Sequence, residues 1–222
     1  MAQRVKILSI THVTHDVLQI RAEKPANLSY VCGQAADVAI NKADWENELR
    51  AFTFTSLPDD DYIEFTIKTY PAHKGVTEQL LHLKAGDELL IGDVFGDIHY
   101  KGEGIFIAGG AGVTPFLAIL KELSGKNAIG HNKMIFANKS KADIIQENQL
   151  RQWLNDGLVN VLSEEQLEGY QHGYINAELI KNSIDEHSRY FYLCGPEPMM
   201  AAVEQQLDSL GIDKAQIVRE AF

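Results

Sequence analysis

Cysteine is nearly absent from this 222-residue chain, which carries only Cys32 and Cys194. Two cysteines exclude a disulfide framework, a four-cysteine zinc site and an iron–sulfur cluster held by this chain alone. Any metal chemistry has to come from a partner. Long apolar runs are also missing, since none approaches the roughly 20 residues that cross a bilayer. The opening stretch Met-Ala-Gln-Arg-Val-Lys-Ile-Leu lacks the apolar core of a signal peptide and reads as a strand, so a cytoplasmic protein with no membrane span is expected. Basic charge is scarce. Lys and Arg number 20 against 31 Asp and Glu, for a net charge of −11. Residues 1–100 hold 9 basic and 15 acidic residues and residues 101–222 hold 11 and 16, so neither half offers a nucleic-acid surface. No internal repeat and no low-complexity tract interrupts the chain. His73, His82, His99 and the other histidines show no spacing that implies catalysis or metal binding.

What is present is an ordinary globular composition, 45% apolar and 23% charged, at a length that suits two domains of about 100 residues each. The halves differ in texture. Short β-rich runs separated by turns fill the first: Arg4 to Ile10, Val17 to Ala22, Ala36 to Ile40, Arg50 to Ser56, Tyr62 to Thr69 and Glu88 to Ile91. They predict a six-stranded antiparallel barrel. In the second, apolar strands at Gly104 to Ala108, Lys133 to Asn138, Val159 to Leu162, Arg189 to Cys194 and Gln216 to Arg219 alternate with helical segments near 114–124, 143–154, 175–186 and 197–210. That alternation predicts an α/β doubly wound parallel sheet. Domains of 1–100 and 101–222 follow, with the boundary between Gly96 and Gly104.

Four segments carry chemistry. Residues 108–116, Ala-Gly-Gly-Ala-Gly-Val-Thr-Pro-Phe, follow the apolar run Ile105-Phe106-Ile107 and lead into a helix. Gly109, Gly110 and Gly112 permit a sharp turn and a close ligand approach, Pro115 suits a first helical turn, and the free amides face an anion. Tight packing is the competing explanation. Arg50-Ala-Phe-Thr-Phe-Thr-Ser56 opens a strand with Phe52 and Phe54 on one face and Thr53 and Thr55 on the other; it also fits an exposed strand end. Pro71-Ala-His-Lys-Gly-Val-Thr77 leads into Leu80-Leu81-Leu83, with Thr77 as a helix N-cap able to reach a phosphate or simply to cap. Tyr192-Leu-Cys-Gly-Pro-Glu-Pro-Met199 again runs a strand into a helix, placing Cys194 at the carboxyl edge where open α/β sheets bind ligands.

In this order the four segments resemble the ferredoxin–NADP reductase family, flavin-containing reductases with an FAD-binding barrel followed by a pyridine-nucleotide domain. The resemblance covers nearly the whole chain. It implies that Arg50 pairs with the FAD pyrophosphate, Phe52 stacks on the isoalloxazine, Thr53 lies near flavin N5, and Ser56 completes the motif. Phe52 stands where the family usually has tyrosine, keeping the stacking surface and losing the hydroxyl. Gly75, Val76 and Thr77 match the segment that receives the FAD phosphates, and Lys68 joins them on the FAD side. Gly110, Gly112, Thr114 and Pro115 match the loop for the nicotinamide-nucleotide pyrophosphate. Cys194, Gly195, Pro196 and Met199 match the segment beside the nicotinamide. Glu220-Ala221-Phe222 resembles the Glu-x-Tyr terminus of plant-type members, which makes Glu220 a catalytic candidate beside Thr53 and Cys194, and Phe222 a ring covering the flavin.

The resemblance implies hydride transfer from NADPH or NADH to FAD, with electrons passed on to a separate acceptor protein such as flavodoxin, ferredoxin or an oxygenase component. It also leaves open an electron-transfer subunit of a larger dehydrogenase, or a cytochrome or flavin reductase. A monomer is expected. Nucleotide choice rests on Asn138-Lys139-Ser140-Lys141-Ala142-Asp143, where Lys139 and Ser140 suit the 2′-phosphate of NADP while Asn138 and Asp143 suit NADH. Acidic acceptors would require Arg21, Lys24, Lys68 and Lys74 to form a local basic patch.

Overall fold

The computed structural model describes residues 2–220, so Phe222 and its expected stacking role lie outside the described residues. The chain divides into two compact units, Met1–Gly96 and Asp97–Phe222.

In the first unit, β1 (Gln3–Thr14), β2 (Val17–Glu23), β3 (Ala35–Ile40), β4 (Arg50–Thr53), β5 (Tyr62–Lys68) and β6 (Glu88–Phe95) form one antiparallel sheet in the order β4-β3-β6-β1-β2-β5. The outer strands meet just beyond β4. Phe54 bridges Phe65, and Thr55 N–H donates to the Glu64 carbonyl at 2.7 Å, which brings the sheet round on itself. Period-two alternation fills the interior with Ile63, Phe65 and Ile67 from β5 and Leu18 and Ile20 from β2. Between β5 and β6 a four-residue helix α1 (Val76–Gln79) runs into a single 3₁₀ turn at Leu80–His82, with Val76 and Leu80 buried against the same core. Its N-cap is Gly75. Thr77 therefore sits inside the first turn and is not the cap that the sequence suggests.

In the second unit, β7 (Gly104–Gly109), α2 (Thr114–Gly125), β8 (Lys133–Asn138), α3 (Glu147–Leu154), β9 (Leu158–Leu162), β10 (Gln171–His172), α4 (Ala177–Ser183), β11 (Tyr190–Cys194), α5 (Glu197–Ser209) and β12 (Ile217–Val218) follow in turn. The sheet is parallel, in the order β10-β9-β8-β7-β11-β12. β7 is buried along its whole length, as a parallel strand covered by helices on both faces should be. From β7 the chain builds outward through β8, β9 and β10, then returns to the other side of β7 for β11 and β12. The strand order reverses between β7 and β11, which is where such sheets open a ligand crevice at their carboxyl ends.

Element boundaries differ from expectation where local geometry intervenes. The strand opened by Arg50 stops at Thr53, because Phe54 to Ser56 turn inward to close the barrel. The helix expected from 143 begins at Glu147, since Gln146 adopts φ 52° and breaks the run, while Ser140 and Asp143 cap a separate 3₁₀ turn at Lys141–Asp143. The segment near 175–186 shortens to Ala177–Ser183, with the Asn176 side chain accepting from Leu179 N–H as N-cap. The two-residue β10 carries no periodicity that could have announced it.

Candidate active site

In the second unit two loops predicted from separate motifs meet at the switch point. Cys194, the last residue of β11, lies opposite Ala108 of β7. A Cβ placed on Gly112 would stand 2.3 Å from the Cys194 carbonyl oxygen and 2.6 Å from Gly195 N. One on Gly109 would stand 2.5 Å from Met199 Sδ, and one on Gly195 2.6 Å from Met199 Cε. Gly109, Gly112 and Gly195 are thus glycine because two backbones and a methionine pack without room for a side chain.

Gly110 differs. At φ +50° it occupies the left-handed region, and nothing lies within 4 Å of the position its Cβ would take. It is the residue that keeps space open in front of the helix. A 3₁₀ turn at Gly110–Val113 runs directly into α2, so the exposed first-turn amides belong to the glycine loop itself. Thr114 and Pro115 are buried, and the Thr114 hydroxyl donates to the Ala111 carbonyl at 3.0 Å. Thr114 thereby stiffens the loop, and the amides of residues 110–112 lie at the positive end of α2.

Beside this loop, burial pushes the Cys194 thiol up to about 12, with the Glu220 carboxylate adding to the shift. Cys194 is a neutral thiol at physiological pH. Glu220 accepts a hydrogen bond from Asp97 N–H at 2.9 Å, which fixes its carboxylate near the end of the described chain. Met199 N–H donates to the Pro196 carbonyl at 2.9 Å, anchoring the first turn of α5 under the glycines.

Past β8, Asn138 buries its carboxamide with neither polar atom paired to a described residue. Lys139 pairs with Glu164 at 3.1 Å, and Ser140 donates through its backbone N–H and its hydroxyl to Asp143 at 2.8 and 2.7 Å.

In the first unit, Arg50 is exposed at the start of β4, its guanidinium donating to the Leu49 carbonyl at 2.6 Å, with Glu48 at 3.6 Å. Phe52 is half-buried, its ring 6.4 Å from Phe65, and Thr53 is half-buried beside it. Ser56 departs from the expected site. It is fully buried, its hydroxyl within 2.8 Å of the Tyr30 hydroxyl and accepting from Glu64 N–H at 2.9 Å. Ser56 braces the barrel seam and leaves no face for a cofactor. Lys68 is tied to Asp16 at 2.8 Å. Gly75 and Thr77 are half-buried and Val76 is a core residue.

Sequence reasoning passed over two aromatics, Tyr70 and Tyr174, which are 44% and 80% exposed. Tyr70 stacks on His73 with centroids 5.3 Å apart. The available signal was a large ring at a strand or turn end with no apolar periodicity to bury it. Two histidines do pair, His131 and His187 stacking at 3.6 Å, but they flank the amino-terminal ends of β8 and β11, opposite the edge that carries the glycine loop.

Comparison with known proteins assigns this arrangement. Residues 2–91 match the FAD-binding domain family and residues 106–205 the oxidoreductase NAD-binding domain family. A ferredoxin NADP+ reductase from Neisseria gonorrhoeae, crystallised with FAD and NADP, has the same fold, with a TM-score of 0.80 at 19% identity over 97% of this chain and 96% of that one. The chain joins an FAD-binding domain to an oxidoreductase NAD-binding domain and has a ferredoxin–NADP reductase-like fold. It is an oxidoreductase whose cofactors are FAD and a nicotinamide nucleotide. Similar curated proteins include the NADH oxidoreductase HCR of Escherichia coli, 28% identical over 216 residues, covering 95% of this chain and 66% of that protein. The reductase component of propane 2-monooxygenase from Mycolicibacterium goodii is 25% identical over 236 residues, covering 99% of this chain and 67% of that protein. The chain thus spans about two thirds of the length of these relatives.

The residues present fit both groups. Gly110 leaves open the space that a pyrophosphate in front of α2 would take, and the buried amide of Asn138 is an orphaned polar group on the same edge of the sheet. In the first unit, an exposed guanidinium two residues from a half-buried phenyl ring offers an anion partner and a stacking face on one short strand.

Proposed function

We propose that the protein is a flavoprotein reductase that takes hydride from NADH or NADPH and passes electrons to a separate acceptor protein. The observation that carries this reading is the switch-point junction, where the glycine loop before α2 and the Cys194–Gly195 backbone are packed together by Gly109, Gly112 and Gly195, which admit no side chain. FAD, when bound, supplies the step between two-electron and one-electron chemistry.

The chain supplies binding and orientation. Amides of residues 110–112 and the α2 dipole receive the nucleotide pyrophosphate, and Cys194 with Gly195 borders the nicotinamide half. A thiol kept neutral presents polarizable, uncharged bulk at the ring and repels no electron density arriving there. Glu220, held by Asp97 N–H, supplies a fixed carboxylate nearby. In the first unit Arg50 faces the FAD pyrophosphate, Phe52 offers a ring face, and Thr53 is the hydroxyl closest to that ring in sequence. Gly75 and Thr77 take the phosphates of the same cofactor.

Of the four cations in the basic patch that acidic partners would need, three are already engaged and Lys74 is exposed. Arg21 is paired with Glu64 at 2.8 Å, Lys68 with Asp16 at 2.8 Å, and the Lys24 ammonium is occupied by the carbonyls of Pro58 and Asp60. With a net charge of −11, turnover with an acidic acceptor is expected to rise with ionic strength, because salt screens repulsion.

Anaerobic stopped-flow tests the reading. Purified protein should show a flavin spectrum that bleaches on mixing with NADH or NADPH, and Cys194→Ala or Thr53→Ala should slow the bleaching about tenfold or more while FAD stays bound. A protein that cannot be reconstituted with FAD, or whose flavin neither nucleotide reduces, overturns it.

A further inference from the structure

The order of strands fixes which way a dinucleotide lies on the second unit. With the pyrophosphate at the carboxyl end of β7 and the nicotinamide half toward Cys194 on β11, the adenosine half extends the other way, over the ends of β8 and β9. Those two ends are joined by backbone bonds: Ser163 N–H donates to the Asn138 carbonyl at 3.0 Å and Glu164 N–H to the Lys139 carbonyl at 2.9 Å. The loops after β8 and β9 therefore form one surface, and backbone geometry sets the carboxylates after β9 against the Lys139 ammonium and the Lys141 amide.

Every group there that would suit a 2′-phosphate is already engaged. Lys139 pairs with Glu164 at 3.1 Å. The Ser140 hydroxyl gives its proton to Asp143 at 2.7 Å. Glu165 accepts from Lys141 N–H at 2.7 Å, and the Lys141 ammonium lies 5.5 Å above the Tyr170 ring. The joined loops thus carry two ammonium groups and three carboxylates, with the Lys139 ammonium paired to Glu164 and the Glu165 carboxylate held on the Lys141 backbone amide. A 2′-phosphate brings a further charge of roughly −1.5 to −2 at pH 7, whereas a ribose 2′-hydroxyl brings none and can donate to a carboxylate. We infer that Glu164, paired with Lys139, and Glu165, fixed on the Lys141 backbone amide, place enough negative charge across the joined β8 and β9 loops to make this nucleotide site selective for NADH over NADPH.

The inference rests on the reductase reading, and its test separates the two. Isothermal titration of the FAD-loaded protein with 5′-AMP and with 2′,5′-ADP is run beside flavin reduction by NADH and by NADPH. The wild type should bind 5′-AMP the more tightly and favour NADH in kcat/KM by about tenfold or more. Pairing Glu164→Gln with Glu165→Gln, both on the surface, should lower the NADH to NADPH ratio and the 5′-AMP to 2′,5′-ADP affinity ratio by about tenfold, with a steeper salt dependence for 2′,5′-ADP. A wild type that prefers NADPH, or a double variant whose ratios do not move, overturns the selectivity. Failure of both nucleotides to reduce the flavin would instead overturn the reductase reading, and the adenylate affinities would still decide this one.

Discussion

The two units place chemistry on different carriers. In the parallel-sheet unit the site is built from backbone: amides, carbonyls and glycines at the ends of β7 and β11, with side chains kept out by contacts of 2.3 to 2.6 Å. In the antiparallel unit the site is built from side chains along one strand, and neighbouring residues of the same motif meet opposite fates. Arg50 is exposed and Thr53 half-buried, while Ser56 is fully buried in a polar seam with Tyr30, Thr55, Glu64 and Thr66. A backbone site tolerates almost no substitution at its close-packed glycines, whereas a side-chain site separates binding from stability residue by residue.

The strongest way to break that comparison is Gly112→Ala. The new methyl would collide with the Cys194 carbonyl, which is backbone and cannot swing away, so a stability loss of about 2 to 3 kcal/mol is expected, together with loss of nucleotide-driven flavin reduction. Gly110→Ala is its control: the methyl enters open space, and the strained φ costs about 1 kcal/mol, so nucleotide affinity should fall more than stability does. Denaturant titration and nucleotide binding on both variants check the pair; equal stabilities would refute the packing argument for Gly112.

Ser56→Ala probes the other unit. It leaves the Glu64 amide without its acceptor inside the seam, for an expected loss of about 1 to 2 kcal/mol, while FAD affinity of the folded protein holds. A clear drop in FAD affinity at unchanged stability would return Ser56 to the cofactor site. The smallest effect is expected at Asp185, in the loop before β11. Its hydrogen bond from Lys133 lowers its pKa to about 2, against some desolvation, with His187 N–H and the Ser188 hydroxyl assisting. A folded-state pKa below the unfolded one stabilises above about pH 4, and that contribution fades as pH falls toward 2. Asp185→Asn should therefore be less stable than wild type at neutral pH, with the gap closing in acid, and flavin reduction by nucleotide should be untouched at pH 7. Thermal melts across pH 2 to 7 would show it.

This division also explains what could be read from the sequence. Runs such as Ile105-Phe106-Ile107 and the alternation of Ile63, Phe65 and Ile67 report burial directly, so both sheets were legible from patterning. The glycine loop and Cys194–Gly195 were legible because backbone demands leave glycine and proline as marks. The separate tasks of those glycines were not, since whether a glycine guards open space or close contact depends on Met199 and Cys194, which arrive from far along the chain. Ser56 was misplaced for the same reason: a hydroxyl in a motif reads alike whether it faces a ligand or a buried backbone amide. The surface after β8 was ambiguous as a string, because Glu164 meets the Lys139 ammonium and Glu165 the Lys141 amide only once β9 lies beside β8.

The meeting of Phe54 with Phe65 has a bearing on solubility. An antiparallel sheet that stops short of closure offers two rows of unsatisfied amides and carbonyls to any passing strand, and such edges seed aggregation. Here the backbone of the seam is a single bridged pair and the adjoining Thr55 to Glu64 hydrogen bond, braced by the buried hydroxyls of Ser56 and Thr55. Opening those few bonds would be enough to turn a self-contained sheet into a template, so this seam, rather than the broad apolar interior, is where aggregation of the first unit should begin.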